Sequence, residues 1–181
     1  IASPSFAPWT TGARIDIGAM LDRSGPIGVH VFSIAHLDDN ERQFFVSLLL
    51  GQVLAWSRAQ PGSDDLRAVL FFDEVAGYLP PHPARPPTKA PLLTMMKQAR
   101  AVGLGVLLAT QNPVDIDYKA LSNAGLWCIG RLSTPQDRER LLKGIEVPGL
   151  DGTVAGLEKR QFLIHQVGTA EPVVAASRHA M

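Results

Sequence analysis

LRAVLFFDEVAGYLPP, residues 66–81, is the stretch on which the reading of this chain turns. Five apolar residues, Ala68 to Phe72, run straight into two adjacent acids, Asp73 and Glu74. A near-continuous apolar run of this kind is what a strand covered on both faces requires, as in a parallel sheet. Ending such a strand on two carboxylates has two explanations. Either the strand simply surfaces into solvent, or it delivers one acid to a magnesium ion and its neighbour to a water at a nucleotide site.

The rest of the chain is read outward from there. At 181 residues it is long enough to bury a sizeable core and is expected to form one domain. Lys+Arg and Asp+Glu both number 17, so the net charge is zero. That removes a basic net charge as an argument for nucleic acid, and leaves a local patch or a ring-shaped assembly as the ways to bind it. One cysteine, Cys128, excludes an internal disulfide, and its apolar setting LWCIG predicts a buried structural thiol. No apolar run approaches the ~18 residues of a membrane span, and no signal pattern opens the chain. The expectation is a soluble, cytoplasmic domain with no membrane partner. The abrupt opening IASPSFAPW reads as a cut within a longer chain.

Strands and helices alternate along the sequence. RIDIGAML (14–21) predicts a short strand or turn, and IGVHVFSIA (27–35), with β-branched Ile27, Val29, Val31 and Ile34, predicts a strand. Asp38 or Asp39 can cap the helix that follows. Its buried face is expected at Phe45, Leu49, Val53 and Trp56, alongside Phe44 and Leu48. Residues 78–91 hold six of the chain's 14 prolines and predict an irregular loop. PLLTMMKQARAVG predicts a helix, LGVLLAT (104–110) a second buried strand, DYKALSNAG a short helix and LWCIGRL (126–132) a third buried strand. In STPQDRERLLKG, Ser133 with Gln136 suggests a capping box and Gly144 a stop. RQFLIHQV (160–167) and EPVVAA (171–176) predict two closing antiparallel strands. The fold class is α/β, with a mainly parallel sheet, flanking helices and antiparallel strands at the C-terminus.

In open parallel sheets ligands bind beyond the carboxyl ends of the strands. Three predicted strand ends carry polar residues there: Asp73-Glu74, Thr110-Gln111-Asn112 and Arg131. Phosphoryl transfer gives this set a logic. Asp73 would hold magnesium and, with Thr110, bind the cofactor, Glu74 would orient the attacking water, Gln111 would position the γ-phosphate, and an arginine would neutralise developing charge.

The segments AVLFFDE, KQARAVGLGVLLATQNP and LSNAGLWCIGRL resemble the HerA–FtsK superfamily of P-loop motor ATPases, above all its HerA-like bacterial ATP-binding proteins. The resemblance runs from SPSFAPW to the final strands. It implies an incomplete RecA-like core, ATP and Mg2+ as ligands, a hexameric ring and double-stranded DNA as a partner. On it, Asp73 and Glu74 correspond to the Walker B acids and Gln111 to the sensor glutamine. Arg100 takes the place of the arginine before the sensor strand. Arg131 is the candidate for an arginine offered across a subunit boundary.

One departure is large. A Walker A loop needs Gly-Lys-[Ser/Thr] after a strand, and none of Lys89, Lys97, Lys119, Lys143 or Lys159 follows a glycine. Residues 1–181 are therefore expected to be the C-terminal portion of an ATPase domain, inactive alone. In this superfamily the missing strand sits between the second and third buried strands. Its loss predicts either that those two pair directly or that chains associate through the exposed edges. The alternative to an enzyme is a non-catalytic assembly module.

Other residues carry blander expectations. Arg85 and Lys89 could face DNA, and Pro80-x-x-Pro83 or Pro83-x-x-Pro86 could meet an SH3-like partner. Met95, Met96, Tyr78 and Trp9 read as packing residues, and Asp115, Asp117 and Asp151 as caps and turns. The histidines His30, His36, His82, His165 and His179 show no metal-ligand spacing.

Overall fold

A computed structural model describes residues 14–145, 147, 149–168 and 171–178. Trp9, His179 and the SPSFAPW segment lie outside them. The architecture is α/β, as the alternation of elements predicts. In chain order the elements are α1 (Ile17–Met20), α2 (Asp39–Ala59), β1 (Ser63–Phe72), α3 (Lys89–Gln98), β2 (Val102–Leu108) and α4 (Tyr118–Asn123). They continue with β3 (Leu126–Ile129), α5 (Pro135–Ile145), α6 (Asp151–Gly156), β4 (Gln161–Gln166) and β5 (Val173–Ala176).

The strands form two sheets. β1 and β2 pair in parallel, joined by the crossover through α3, with Phe72 opposite Leu108 at their carboxyl ends. β3, β4 and β5 form an antiparallel sheet in sequence order, with the closing pair as expected. Among the described residues β2 pairs only with β1, and β3 only with β4. Direct pairing of the second and third buried strands is thus not what the chain does. Each keeps an unpaired edge, because β3 finds its hydrogen bonds in the antiparallel β4.

Local chemistry explains most element boundaries. Asp38 caps α2 in a reciprocal box: the Glu41 N–H donates to the Asp38 carboxylate at 2.9 Å, and the Asp38 N–H donates to Glu41 at 3.2 Å. The buried stripe of α2 is Val46, Leu50, Val53 and Ser57, whereas Phe44 and Leu48 are exposed. Of the expected face, Val53 is buried and Phe45, Leu49 and Trp56 pack partly buried against the core, so only the flanking Phe44 and Leu48 depart from it. Thr134 precedes α5, with Pro135 as the first helical residue, and its hydroxyl donates to Asp137. Ser133 is thus one residue too early to cap, and Gly144 lies inside the helix.

Three further expectations are corrected. Residues 14–21 contain the short helix α1, capped by the Asp16 carboxylate, which accepts from the Ala19 N–H at 3.0 Å. Residues 27–34 form no strand, and Ile27, Val29 and Val31 are almost wholly exposed. A β-branched alternation needs a neighbouring edge to become a strand, and this segment has none among the described residues. Finally, the parallel sheet is covered on one face only. Ala68, Leu70, Phe72, Val106 and Leu108 pack on the core, while Val69, Phe71 and Leu107 of the other face are more than half exposed. On β3, Leu126 and Cys128 are likewise exposed. Partial desolvation still pushes the Cys128 thiol above its usual value, so it stays protonated at neutral pH and is a poor nucleophile.

Gly103 sets the start of the β1–β2 pairing. Its φ is +74°, and an added Cβ would stand 2.2 Å from the Asp65 carbonyl oxygen. Gly103→Ala is expected to cost at least ~2 kcal/mol through backbone strain and collision. The melting temperature should fall by roughly 4–8 °C. An unchanged melting curve would mean the two strands separate there without cost.

Candidate functional site

The two acids of the deciding stretch follow the last residue of β1, and their backbone is pinned on both sides by one residue of β2's exit. The Ala109 N–H donates to the Phe72 carbonyl at 2.9 Å, and the Val75 N–H donates to the Ala109 carbonyl at 2.9 Å. Asp73 and Glu74 are the two residues between those anchors. They project as a short exposed step at the sheet's rim. Glu74 adopts a left-handed backbone conformation, φ +52°, which a non-glycine residue takes at a cost of about 1–3 kcal/mol. Val75, completely buried behind it, and the Ala76–Tyr78 turn hold the step in place.

Thr110 meets this step from β2. Its hydroxyl donates to the Glu74 carboxylate at 3.1 Å and accepts from the Asn112 N–H at 3.1 Å. A threonine two positions past a strand end was a recognisable candidate; that it holds the glutamate is visible only in three dimensions. Asp73, Glu74, Thr110 and Gln111 thus share one rim, with both acids and Gln111 open to solvent.

The two arginines lie elsewhere. Arg100 is exposed in the Ala99–Ala101 turn that precedes β2. It stands at the opposite end of the strand from Gln111, a strand of seven residues and so roughly 20 Å long. Within one chain Arg100 does not reach the acids. Arg131 follows β3, in the other sheet, and is exposed beside the turn that opens β4.

The loop after the site is tied down by a pair the sequence did not suggest. Lys89 sits 2.7 Å from the Asp117 carboxylate, with both side chains nearly buried. The ammonium also donates to the carbonyls of Pro80 at 2.7 Å and Ala84 at 3.1 Å. Lys89 therefore stitches the proline loop to the N-cap of α4 and is not free to face DNA; Arg85 is exposed. Desolvation pushes the Asp117 carboxyl upward, but the hydrogen bonds from Lys89 and from the Lys119 N–H, with both lysine charges, outweigh it and hold the group below its usual value. Tyr78 packs tilted against Phe72 with ring centroids 5.0 Å apart, a packing role, and burial raises its phenol.

For magnesium the donor set is suitable in kind. That ion takes one or two carboxylates, keeps several waters and shares substrate phosphates, which Asp73 at an open rim would allow. Among the described residues no group of three or more His, Cys, Asp or Glu forms a self-sufficient metal site. No described helix is long and apolar enough to cross a membrane.

No family model and no curated protein matches this chain. Among solved structures it is similar to the genome packaging NTPase B204 from Sulfolobus turreted icosahedral virus 2. The complex with AMP is 20% identical with a TM-score of 0.56, over 77% of this chain and 63% of that one. The complex with AMPPCP is 20% identical with a TM-score of 0.60, over 79% and 65%. The DNA-packaging ATPase B204 from Sulfolobus Turreted Icosahedral Virus is 19% identical with a TM-score of 0.60, over 84% and 75%. The chain spans less than two thirds of the length of the first of these. At about one identical residue in five, what is shared is the α/β fold, over three quarters or more of this chain.

Proposed function

We propose that residues 1–181 are the Walker B and sensor portion of a RecA-like domain in an ATP-hydrolysing motor of the HerA–FtsK type, acting on double-stranded DNA. The observation that carries this reading is the Asp73–Glu74 step, held at a parallel strand end with Glu74 bonded to Thr110 of the adjacent strand. The fold shared with a genome-packaging NTPase, whose structures include complexes with AMP and AMPPCP, supports it.

Roles follow from position. Asp73 would hold Mg2+, which supplies charge neutralisation on the phosphates when bound. Glu74 orients the water that attacks the γ-phosphorus as the bond to the ADP oxygen breaks. Thr110 keeps the Glu74 carboxylate in its strained position, and Gln111, on the same rim, senses the γ-phosphate. Arg100 and Arg131 stand apart from the acids within one chain, so Arg131, the candidate arginine offered across a subunit boundary, would serve the site of a neighbouring copy, and Arg100 stays the arginine before the sensor strand. The phosphate cradle is not among these residues, since no Gly-Lys-[Ser/Thr] occurs in them.

Phosphate release assays test the reading. The 181-residue chain is expected to show no magnesium-dependent ATP turnover, whereas a chain extended upstream through a Gly-Lys-[Ser/Thr] loop is expected to hydrolyse ATP. An extended chain that binds no ATP would favour the assembly module.

Self-association is the second expectation. The uncovered face of Val69, Phe71 and Leu107 lies beside the free edge of β2, an apolar surface of the kind that becomes an interface. Light scattering should show oligomers that dissociate in Phe71→Lys or Leu107→Lys. A wild-type monomer at all concentrations would refute association through this edge.

A further inference from the structure

We infer that the cavity between the end of β3 and the turn opening β4 is a binding site for phosphate-bearing ligands. The cavity measures about 370 Å³ and is lined by Gly130, Arg131, Glu158, Lys159, Arg160, Gln161 and Phe162. It is an open concavity, with Arg131, Glu158, Lys159 and Arg160 all exposed around it. Three cations face one carboxylate around it. None of Arg131, Lys159 and Arg160 forms an ion pair among the described residues, although four ion pairs form elsewhere. A chain of zero net charge that concentrates three unpaired cations on one concavity creates a local positive field there.

The cations are carried on a fixed frame. The β3–β4 register, Ile129 opposite Leu163, places Gly130 across from Phe162 and Arg131 across from Gln161. The turn before β4 is closed twice. The Gln161 N–H donates to the Glu158 carbonyl at 3.0 Å, and the Glu158 N–H donates to the Gln161 side-chain oxygen at 2.8 Å. Arg160 takes a left-handed φ of +69°, and its carbonyl accepts from the Ser177 N–H at 2.9 Å, beyond β5. Three strand ends thus converge to fix the backbone that carries the cations, while their side chains remain exposed.

Gly130 lies over the Phe162 ring, where an added Cβ would make only an ordinary contact at 3.7 Å; the ring is half-buried and offers an apolar surface under the charges. Arginine and lysine around such a floor suit phosphate oxygens, arginine through paired N–H donors and lysine as a point charge. The shared chemistry is a phosphate group, whether of a free polyphosphate or nucleotide or of a nucleic-acid backbone. Glu158 opposes it and sets a modest affinity. This inference does not rest on the ATPase reading, and its test leaves Arg131 untouched.

Calorimetry on the 181-residue chain at low salt, with EDTA, would use pyrophosphate, ATP and a 20-base-pair DNA duplex as probes. Lys159→Glu/Arg160→Glu is compared with Arg58→Glu/Lys97→Glu, which makes the same charge change at exposed cations elsewhere. The first pair should weaken binding at least tenfold beyond the second, and Glu158→Gln should tighten it a few-fold. Lys159→Gln alone should show a smaller loss and serves if the double variant misfolds. Pyrophosphate and ATP binding that depends on the pair identifies a free-phosphate site. Duplex binding without pyrophosphate binding identifies the nucleic-acid backbone, with affinity falling steeply as salt rises. Equal losses in both double variants, or no binding of any probe, would overturn the inference.

Discussion

Lys89→Met is expected to destabilise the chain by about 3 kcal/mol, toward the lower end of the range for breaking a buried ion pair. The reason is not the lost attraction alone. Removing the ammonium leaves the Asp117 carboxylate, nearly buried, with only the Lys119 N–H, and strips the Pro80 and Ala84 carbonyls of their donor. For a chain of this length the melting temperature should drop by roughly 6–12 °C. A double-mutant cycle separates the causes: Asp117→Asn should cost less, and Lys89→Met/Asp117→Asn should cost less than the sum of the two. Additive losses would show that the two side chains do not stabilise each other.

The same pair predicts a pH dependence. The folded Asp117 carboxyl titrates below its unfolded value of about 3.9, so its stabilisation is fully present above that pH. It is lost as the pH falls through the folded value, where the carboxylate protonates and releases Lys89. Thermal melts between about pH 2 and 6 should therefore show a steeper acid decline for the wild type than for Asp117→Asn. Parallel curves for the two proteins would remove Asp117 from the acid sensitivity.

Glu74→Gln should lower ATP turnover by ~10²–10⁴-fold in a chain that includes the phosphate cradle, with nucleotide affinity little changed. The amide keeps an oxygen to accept from Thr110 but cannot take up or polarise a proton on water. Thr110→Val should reduce kcat by a smaller factor at unchanged KM, because the carboxylate remains but its orientation is lost. Turnover unaffected by Glu74→Gln would end the catalytic role. A stability measurement adds a second readout. Glu74→Gly relieves the left-handed strain and should raise stability by about 1 kcal/mol while abolishing turnover. A gain in stability would show that the left-handed strain at Glu74 outweighs its bond from Thr110; a loss would show the reverse.

Local pattern in the sequence determined a good deal of this protein. The apolar runs of β1 and β2, the acids that end β1, the cap at Asp38 and the irregular proline loop depend on periodicity and on residues a few positions apart. Contacts of that range are written directly into neighbouring letters. Other features belonged to the tertiary structure. Among the described residues, 27–34 have the alternation of a strand but no edge to join, and the apolar residues of β1 have a covering layer on one side only. Lys89 finds Asp117 twenty-eight positions away, and Arg131 meets Lys159 and Arg160 because β3 turns to the antiparallel sheet. A strand's identity depends on what hydrogen-bonds its edges, and a charge's role on what faces it across the fold. Neither is set by the residues alongside it in the chain, so the acids of LRAVLFFDE and Thr110 could each be read from sequence while the bond from Thr110 to Glu74 could not.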